Sequence, residues 1–211
     1  MRLIYRLFKK LLQLNEQSRI RNKRGETAVG IHEWEKLLKM EREQKDTFFS
    51  IHPQSPIPLE ERGKFKGLDY YPPNPDYRFA LKLHEHPKKK RIEMSYTRGD
   101  EKEFLRWGEF RFEIGGKEQV LQAYKSNPDE ERLFVPFRDA TSGKETYGAG
   151  RYLDLEPGIH LTVERKWIID FNRAYNPWCA YSENYTCPFV PPENWLKVLI
   201  RAGEKKYPLK K

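Results

Sequence analysis

Cysteine and long apolar runs are the features that this sequence has least of. Its 211 residues include two cysteines, which excludes a small fold held together mainly by disulfide bonds. No stretch reaches the roughly 18 consecutive apolar residues of a transmembrane helix, so a conventional membrane span is excluded. The sequence also has no internal repeat and no low-complexity segment.

Hydrophobic residues are few, at 37%, but aromatic residues reach 14%, which argues against global disorder. The length fits one domain, or one domain with an appendage. A chain of this size buries about 70% of its unfolded surface, so a sizeable core can form without disulfides.

The net charge of +9 is concentrated at the two ends of the chain. Residues 1–24 contain eight Lys and Arg residues against one Glu, and residues 201–211 contain five against one. The intervening residues 25–200 have a net charge of −2. The basic charge therefore does not identify the main domain as a nucleic-acid-binding domain.

Residues 1–25 are predicted to form a basic amphipathic helical arm and a linker. Apolar residues recur at helical spacing in it, namely Leu3, Ile4, Leu7, Phe8, Leu11 and Leu12. Lys9 and Lys10 interrupt any secretory signal, so we expect a cytoplasmic protein. The apolar face has three alternative partners: the chain's own domain or a second subunit, an anionic membrane surface, or RNA or another acidic partner. The second alternative would make the protein peripheral at the membrane.

From Tyr77 onward, a period of two in the apolar residues is typical of β-strands. Candidate strands are 77–84, 91–97, 103–114, 118–125, 131–137, 150–155, 158–164, 166–172 and 196–202. A second helix precedes them and ends near Lys45. Many short strands predict one mainly β domain over residues 26–211, an antiparallel β-sandwich or barrel with an N-terminal helical arm.

Two long polar and aromatic motifs stand out: FVPFRDATSGKETYGAGRY at 134–152 and DFNRAYNPWCAYSENYTCPFVPPEN at 170–194. At these motifs, and at SPIP (55–58), FKGLDYY (65–71) and RAGEK (201–205), the chain resembles the uncharacterised archaeal and bacterial family catalogued as domain of unknown function 1684. The resemblance covers about residues 30–205. Because that family has no assigned activity, the resemblance implies that these segments belong together and does not imply a function.

Aromatic walls with convergent polar groups predict a ligand pocket formed by 138–152 and 170–194. The predicted site residues are Arg138, Asp139, Thr141, Ser142, Tyr147, Arg151, Asp170, Asn172, Tyr175, Asn176, Cys179, Tyr181, Cys187 and Asn194. Two arginines with hydroxyl groups and glycine amides suit a small anion such as a carboxylate or phosphate. The competing interpretation is that Asn and Pro residues hold a rigid loop over the end of the barrel.

No motif specifies a reaction or a cofactor. Gly143-Lys144 is followed by Glu145, where a P-loop requires Ser or Thr, so nucleotide hydrolysis by that route is excluded. No local signature supports Cys179 as a nucleophile acting with His160 and Asp170.

The spacing of Cys179 and Cys187 allows a short-loop disulfide, although the missing signal peptide favours reduced thiols. Zinc would need two ligands besides these cysteines, and His84 and His86 are far away in the sequence. No metal site is therefore predicted.

Three classes of function stay open. The favoured one is a β-domain that binds a small anionic ligand in the predicted pocket. The alternative is an interaction or adaptor module that docks through residues 1–24 on an anionic membrane, RNA or a protein, with nucleic acid not favoured. The third is a hydrolase or transferase, so whether the chain is an enzyme is not decided.

Overall fold

The computed structural model describes residues 28–208, and the predicted arm helix at 1–24 lies outside them. The helices are α1 (Ala28–Ile51), α2 (Leu59–Arg62) and α3 (Pro157–His160). The strands are β1 (Arg78–Leu81), β2 (His84–Ser95), β3 (Glu101–Ile114), β4 (Lys117–Lys125), β5 (Leu133–Phe137), β6 (Arg151–Leu155) and β7 (Trp167–Asp170). Short 3-10 turns lie at Pro75–Tyr77, Phe171–Arg173, Trp178–Ala180 and Pro192–Asn194. One compact unit ends at Arg42 and a second begins at Glu43, inside α1.

Helix α1 continues to Ile51, beyond the predicted end near Lys45, and therefore includes Phe48 and Phe49. Pro53 lies two residues after Ile51 and cannot extend the helical hydrogen bonding. Ser55 Oγ donates to the Phe49 carbonyl at 2.5 Å, and this bond satisfies one of the carbonyls left free at the helix end.

The prediction of a mainly β fold with antiparallel strands is confirmed. Strands β2-β3-β4-β5-β6 form one antiparallel sheet in this order, and β1 pairs with β7 in a second. The larger sheet is open, with β2 and β6 at its two edges, so the barrel alternative is wrong.

The core lies between the two sheets. Phe79 of β1 packs on Phe112 of β3 with ring centroids 5.1 Å apart, and Phe112 packs on Phe171 at 5.6 Å. In β3 the alternation predicted from the sequence is confirmed, since Phe110 and Phe112 are buried while Arg111 between them is exposed. This alternation produces one buried and one wet face.

Two of the predicted strands are wrong. Residues 158–164 instead contain helix α3, which begins at Pro157, a residue well suited to the first helical turn. Residues 196–202 form no strand, because several of their backbone groups bond to side chains of the loop before β6 and of β6 itself. Strand β2 begins at His84, earlier than predicted.

Candidate functional site

The two motifs of the predicted pocket meet in the fold. Tyr152 and Tyr175 exchange backbone hydrogen bonds of 2.9 and 3.1 Å, which join β6 to the second motif. The Arg138 N–H donates to the Asn194 carbonyl at 3.0 Å, and the Leu196 N–H donates to Arg138 at 2.8 Å. The chain therefore brings residues 138–152 and 170–196 into direct contact.

Asp139 organises the loop between β5 and β6. The hydroxyl of Thr141 donates to the Asp139 carboxylate at 2.8 Å and lies 2.8 Å from the hydroxyl of Thr146. The Ser142 hydroxyl is 3.3 Å from the same carboxylate. The Ile200 N–H donates to it at 2.8 Å. Asp139 thus bonds to its own loop and to the distant segment around Ile200.

The Arg151 side chain is 1% exposed and bonds within the protein. Its Nη1 donates to the carbonyl oxygens of Ala202 and Glu204, and its Nη2 donates to the Ile200 carbonyl at 2.9 Å. Nη2 also lies 3.4 Å from Asp139 Oδ1. Burial lowers the pKa of Arg151, and the Asp139 carboxylate opposes this shift. Arg151 therefore joins β6 to residues 200–204.

A buried carboxylate that the sequence analysis missed, Glu204, is 2% exposed. It accepts hydrogen bonds from the Asn176 N–H at 2.8 Å and from the Tyr181 hydroxyl, and it pairs with Lys45. Burial and the neighbouring Glu204 raise the pKa of Tyr181 well above its usual range, so this phenol stays a donor. The Asn176 side chain donates to the Lys205 carbonyl at 2.8 Å. The cluster fixes the chain on both sides of Glu204.

Asp170 and Asn172 cap a turn and fasten a proline-rich segment. The Asp170 carboxylate accepts from the Asn172 N–H at 3.0 Å and from Arg173 at 2.6 Å. The Asn172 amide group exchanges two hydrogen bonds of 2.8 Å with the backbone of Asn74. These hydrogen bonds hold the turn at Phe171–Arg173 in place and connect it to Asn74.

Asn194 is fully buried and bonds to two strands. Its Oδ1 accepts from the Gln122 N–H at 2.7 Å. Its Nδ2 donates to the carbonyl oxygens of Gln122 at 2.9 Å and Pro136 at 2.6 Å. Asn194 therefore joins the second motif to β4 and β5.

Tyr175 belongs to another buried polar group. Its hydroxyl donates to Asp154 Oδ2 at 2.7 Å, and Arg132 donates to Asp154 Oδ1 at 2.9 Å. Burial raises the pKa of Asp154, and Arg132 and Tyr175 oppose that shift.

Arg138 is half-buried, and its guanidinium group stacks on Trp195 at 4.5 Å from the ring centroid. Trp195 is 50% exposed, and its Nε1 donates to the Val190 carbonyl at 3.0 Å. Arg138 and Arg151 therefore have different partners: Arg138 stacks on the ring of Trp195, and Arg151 donates to buried carbonyl groups.

Tyr147 and the two cysteines form a further cluster. Cys179 and Cys187 are both buried and carry free thiols. The Cys179 N–H donates to Cys187 Sγ at 3.4 Å, and the Tyr147 hydroxyl lies 3.6 Å from Cys179 Sγ. Burial and the adjacent Cys179 raise the pKa of Tyr147.

A groove of about 530 Å³ lies between residues 64–69 and residues 205–208, with Glu61 also at its edge. We call it the basic groove because Lys64, Lys66, Lys205 and Lys206 line it. Two aromatic rings also line it: those of Phe65 and Tyr207 are 6.4 Å apart, and Tyr207 stacks edge-on against Tyr181 at 5.3 Å.

The walls of the basic groove are joined by main-chain bonds. The Lys205 N–H donates to the Asp69 carbonyl at 2.9 Å, and the Lys206 N–H donates to the Glu145 carbonyl at 3.0 Å. Lys205 also pairs with Asp69 at 3.2 Å. Lys64, Lys66 and Lys206 are exposed and form no ion pair with any described residue.

Residues 28–208 contain no group of three or more His, Cys, Asp and Glu side chains that could hold a metal ion. His86, which was considered above as a zinc ligand, contacts the Gln122 side chain at 2.7 Å. In the same part of the chain, no helix has the length and apolar character needed to cross a membrane.

A family model described as "Protein of unknown function (DUF1684)" matches residues 63–205. The chain belongs to the DUF1684 family. It is 40% identical to an uncharacterised protein of Haloarcula marismortui whose solution NMR structure is known, with a TM-score of 0.65. The similarity covers 85% of this chain and 97% of that protein. No curated protein matches the sequence.

Three features of this DUF1684 chain were not predicted from its sequence: Asp154, Glu204 and the basic groove. One signal for the groove is that Lys and aromatic residues are adjacent at both of its walls, in 64–66 and 205–207. The two segments are far apart in the sequence, however, and only the bonds of residues 204–206 to the core bring them together.

Proposed function

We propose that this DUF1684 domain binds a small anionic ligand with a planar apolar portion in the basic groove. The observation that supports this most directly is the presence of three exposed, unpaired lysines, Lys64, Lys66 and Lys206, beside the rings of Phe65 and Tyr207. Ammonium groups attract carboxylates and phosphates, and aromatic rings supply apolar contact area.

The size and charge of the groove fit such a ligand. Its volume of about 530 Å³ lies within the range of small-molecule sites. Glu61 and Asp69 also line it, but Asp69 is paired with Lys205. The three other lysines therefore outnumber the one other acid, Glu61. The groove therefore has a positive excess that favours an anion.

The predicted pocket at 138–152 and 170–194 has a supporting role in this proposal. Arg151 and Asn176 have donors committed to backbone groups of residues 200–205, directly before the groove wall at 205–208. We therefore place the anion-binding groups on the lysines of the groove and give the two motifs the task of positioning that wall.

The proposal is tested by titrating the full chain with phenyl phosphate, with inorganic phosphate as the probe that lacks the ring. Isothermal titration calorimetry measures the dissociation constants of wild type and of the double variant Lys64→Gln/Lys66→Gln. The matched control, Lys88→Gln/Lys90→Gln, removes the same charge from exposed positions of β2 outside the groove.

We expect the groove variant to bind phenyl phosphate at least about tenfold more weakly than wild type, and the control to keep its affinity. Inorganic phosphate should bind more weakly than phenyl phosphate because it makes no contact with the rings. Equal weakening in both variants, or no binding by wild type, would contradict the proposal.

A second candidate function is docking on an anionic membrane surface through residues 1–24, which lie outside the described residues. It rests on the eight Lys and Arg residues against one Glu in that segment. We expect the full chain to sediment with phosphatidylserine vesicles at low salt. A variant with Gln at positions 2, 6, 9 and 10 should not. Equal binding by this variant, or retention by RNA alone, would rule membrane docking out.

A further inference from the structure

Cys179 and Cys187 lie side by side in the irregular part of the second motif. Cys179 is in the 3-10 turn Trp178–Ala180, and Cys187 follows eight residues later, before Pro188. The Cys179 backbone N–H donates to Cys187 Sγ at 3.4 Å. Because the Cys187 sulfur lies against the backbone of Cys179, rotation of the Cys179 side chain can bring the two sulfur atoms together.

Both cysteines are held by contacts outside the pair. The Cys187 N–H donates to the Thr97 hydroxyl at 3.2 Å, and its carbonyl accepts from the Thr97 N–H at 3.1 Å. On the other side, the Tyr147 hydroxyl lies 3.6 Å from Cys179 Sγ. The pair is therefore already assembled in the reduced protein.

We propose that Cys179 and Cys187 form a redox-active dithiol that closes to an intrachain disulfide by exchange with a low-molecular-weight disulfide. The chain contains two cysteines, so no competing pairing exists within it. This inference does not rest on ligand binding in the basic groove.

Cys187 is the residue that attacks first. The neighbouring Cys179 lowers the pKa of Cys187, whose Sγ also accepts the Cys179 backbone N–H, and the pKa of Cys179 is raised. The thiolate is the nucleophile in disulfide exchange, so Cys187 is the more reactive of the two near neutral pH. Each residue is 8% exposed, and the adjoining Glu183, Asn184 and Thr186 are exposed, which gives a small oxidant a route to the pair.

The exchange takes place in two balanced steps. The Cys187 thiolate attacks one sulfur of the small disulfide, that S–S bond breaks, and one small thiolate leaves as a mixed disulfide forms. Cys179 then loses its proton to solvent and attacks the Cys187 sulfur, which releases the second small thiolate. In total, two protein thiols are oxidised and one small disulfide is reduced to two thiols.

The test equilibrates the reduced full chain with mixtures of reduced and oxidised glutathione at pH 7.5, then labels remaining thiols with N-ethylmaleimide. Intact mass separates the disulfide form, which takes no label, from the dithiol form, which takes two. We expect the native chain to close at a ratio of oxidised to reduced glutathione at least about tenfold lower than the urea-unfolded chain, because the fold assembles the pair.

Single variants test the order of the steps. Cys179→Ser should accumulate a glutathione adduct on Cys187, since the resolving thiol is missing, whereas Cys187→Ser should react much more slowly at Cys179. Circular dichroism confirms that both variants are folded. The proposal is overturned if the native chain keeps two free thiols where the unfolded chain is oxidised, if only intermolecular dimers form, or if both single variants react at the same rate.

Discussion

The side-chain amide of Asn194 pairs with the backbone of Gln122 in both directions. The Gln122 N–H donates to Asn194 Oδ1 at 2.7 Å, and Asn194 Nδ2 donates to the Gln122 carbonyl at 2.9 Å. The same Nδ2 donates to Pro136 of β5 at 2.6 Å. Strands β4 and β5 pair with each other only at Tyr124 and Phe134. The Asn194 amide therefore forms hydrogen bonds with backbone groups of Gln122 in β4 and Pro136 in β5, which are not paired with each other across the two strands.

Replacing Asn194 by Asp keeps the shape of the side chain and removes its donor. A carboxylate oxygen would then face the carbonyl groups of Gln122 and Pro136 in a buried site, so we expect the free energy of unfolding to fall by at least about 3 kcal/mol. Urea unfolding followed by tryptophan fluorescence measures this loss. Asn127→Asp is the matched control, because exposed Asn127 keeps its acceptor for the Asp129 N–H, and should cost less than about 1 kcal/mol. Similar losses in the two variants would contradict the assigned role.

Replacing Arg151 by Lys keeps the charge and removes the fork of donors. One ammonium group cannot reach the carbonyls of Ile200, Ala202 and Glu204 together, so we expect a loss of about 3–5 kcal/mol in the free energy of unfolding. Arg91→Lys is the control, since Arg91 forms an exposed pair with Glu103 and should have little effect. If Arg151→Lys is as stable as the control, the guanidinium group does not hold residues 200–204.

The sequence predicted those features that depend on neighbours along the chain. The alternation around Phe110 and Phe112 identifies strand β3 and its buried face because a strand exposes every second side chain. Residues 196–202 also alternate, yet they form no strand, since Arg151 and Asp139 take up their backbone groups. Such bonds between distant residues leave no local signal.

The same limit applies to the candidate site. The motif around Arg151 suggests anion binding by composition, because arginine beside glycine and hydroxyl groups suits a phosphate as well as a set of carbonyl groups. The sequence alone does not distinguish these partners. In the structure, Arg151 donates to the backbone carbonyl oxygens of Ala202 and Ile200. Lys64 and Lys206 join one groove because Glu204 and Lys205 are bonded to the core.

Gly203 is a position where any side chain would collide with the backbone. Its φ of +78° is unfavourable for other residues, and an added Cβ would lie 2.6 Å from the carbonyl oxygens of Ala174 and Phe171. Gly99 is the matched control, because it has a φ of +85° and no atom within 4 Å of such a Cβ. Both Ala variants place a Cβ on a backbone with a positive φ, so the difference between their losses in the free energy of unfolding measures the effect of the collision.

We expect Gly203→Ala to lose at least about 2 kcal/mol more than Gly99→Ala in the free energy of unfolding. Urea denaturation of both variants provides the comparison. Equal losses would mean that the segment at 203 shifts freely, and the tight packing of residues 200–205 against the second motif would then be wrong.

His160 makes stability depend on pH below neutrality. Burial and the nearby Arg173 lower its pKa to about 4, and its Nδ1 accepts the Glu156 N–H at 3.0 Å. The unfolded chain, with an ordinary histidine pKa of about 6.5, binds the proton first as the pH falls. The stabilisation is therefore complete above pH 6.5 and is lost progressively between 6.5 and 4, by up to about 3 kcal/mol.

The variant His160→Gln separates this histidine from the carboxylates that titrate over the same range. Glutamine offers an acceptor for the Glu156 N–H and does not titrate, so the stability difference between wild type and variant should shrink by about 2–3 kcal/mol from pH 7.5 to pH 4.5. Urea unfolding at intervals of half a pH unit measures it. A difference that stays constant over this range would mean that His160 binds its proton equally well in the folded and unfolded chains.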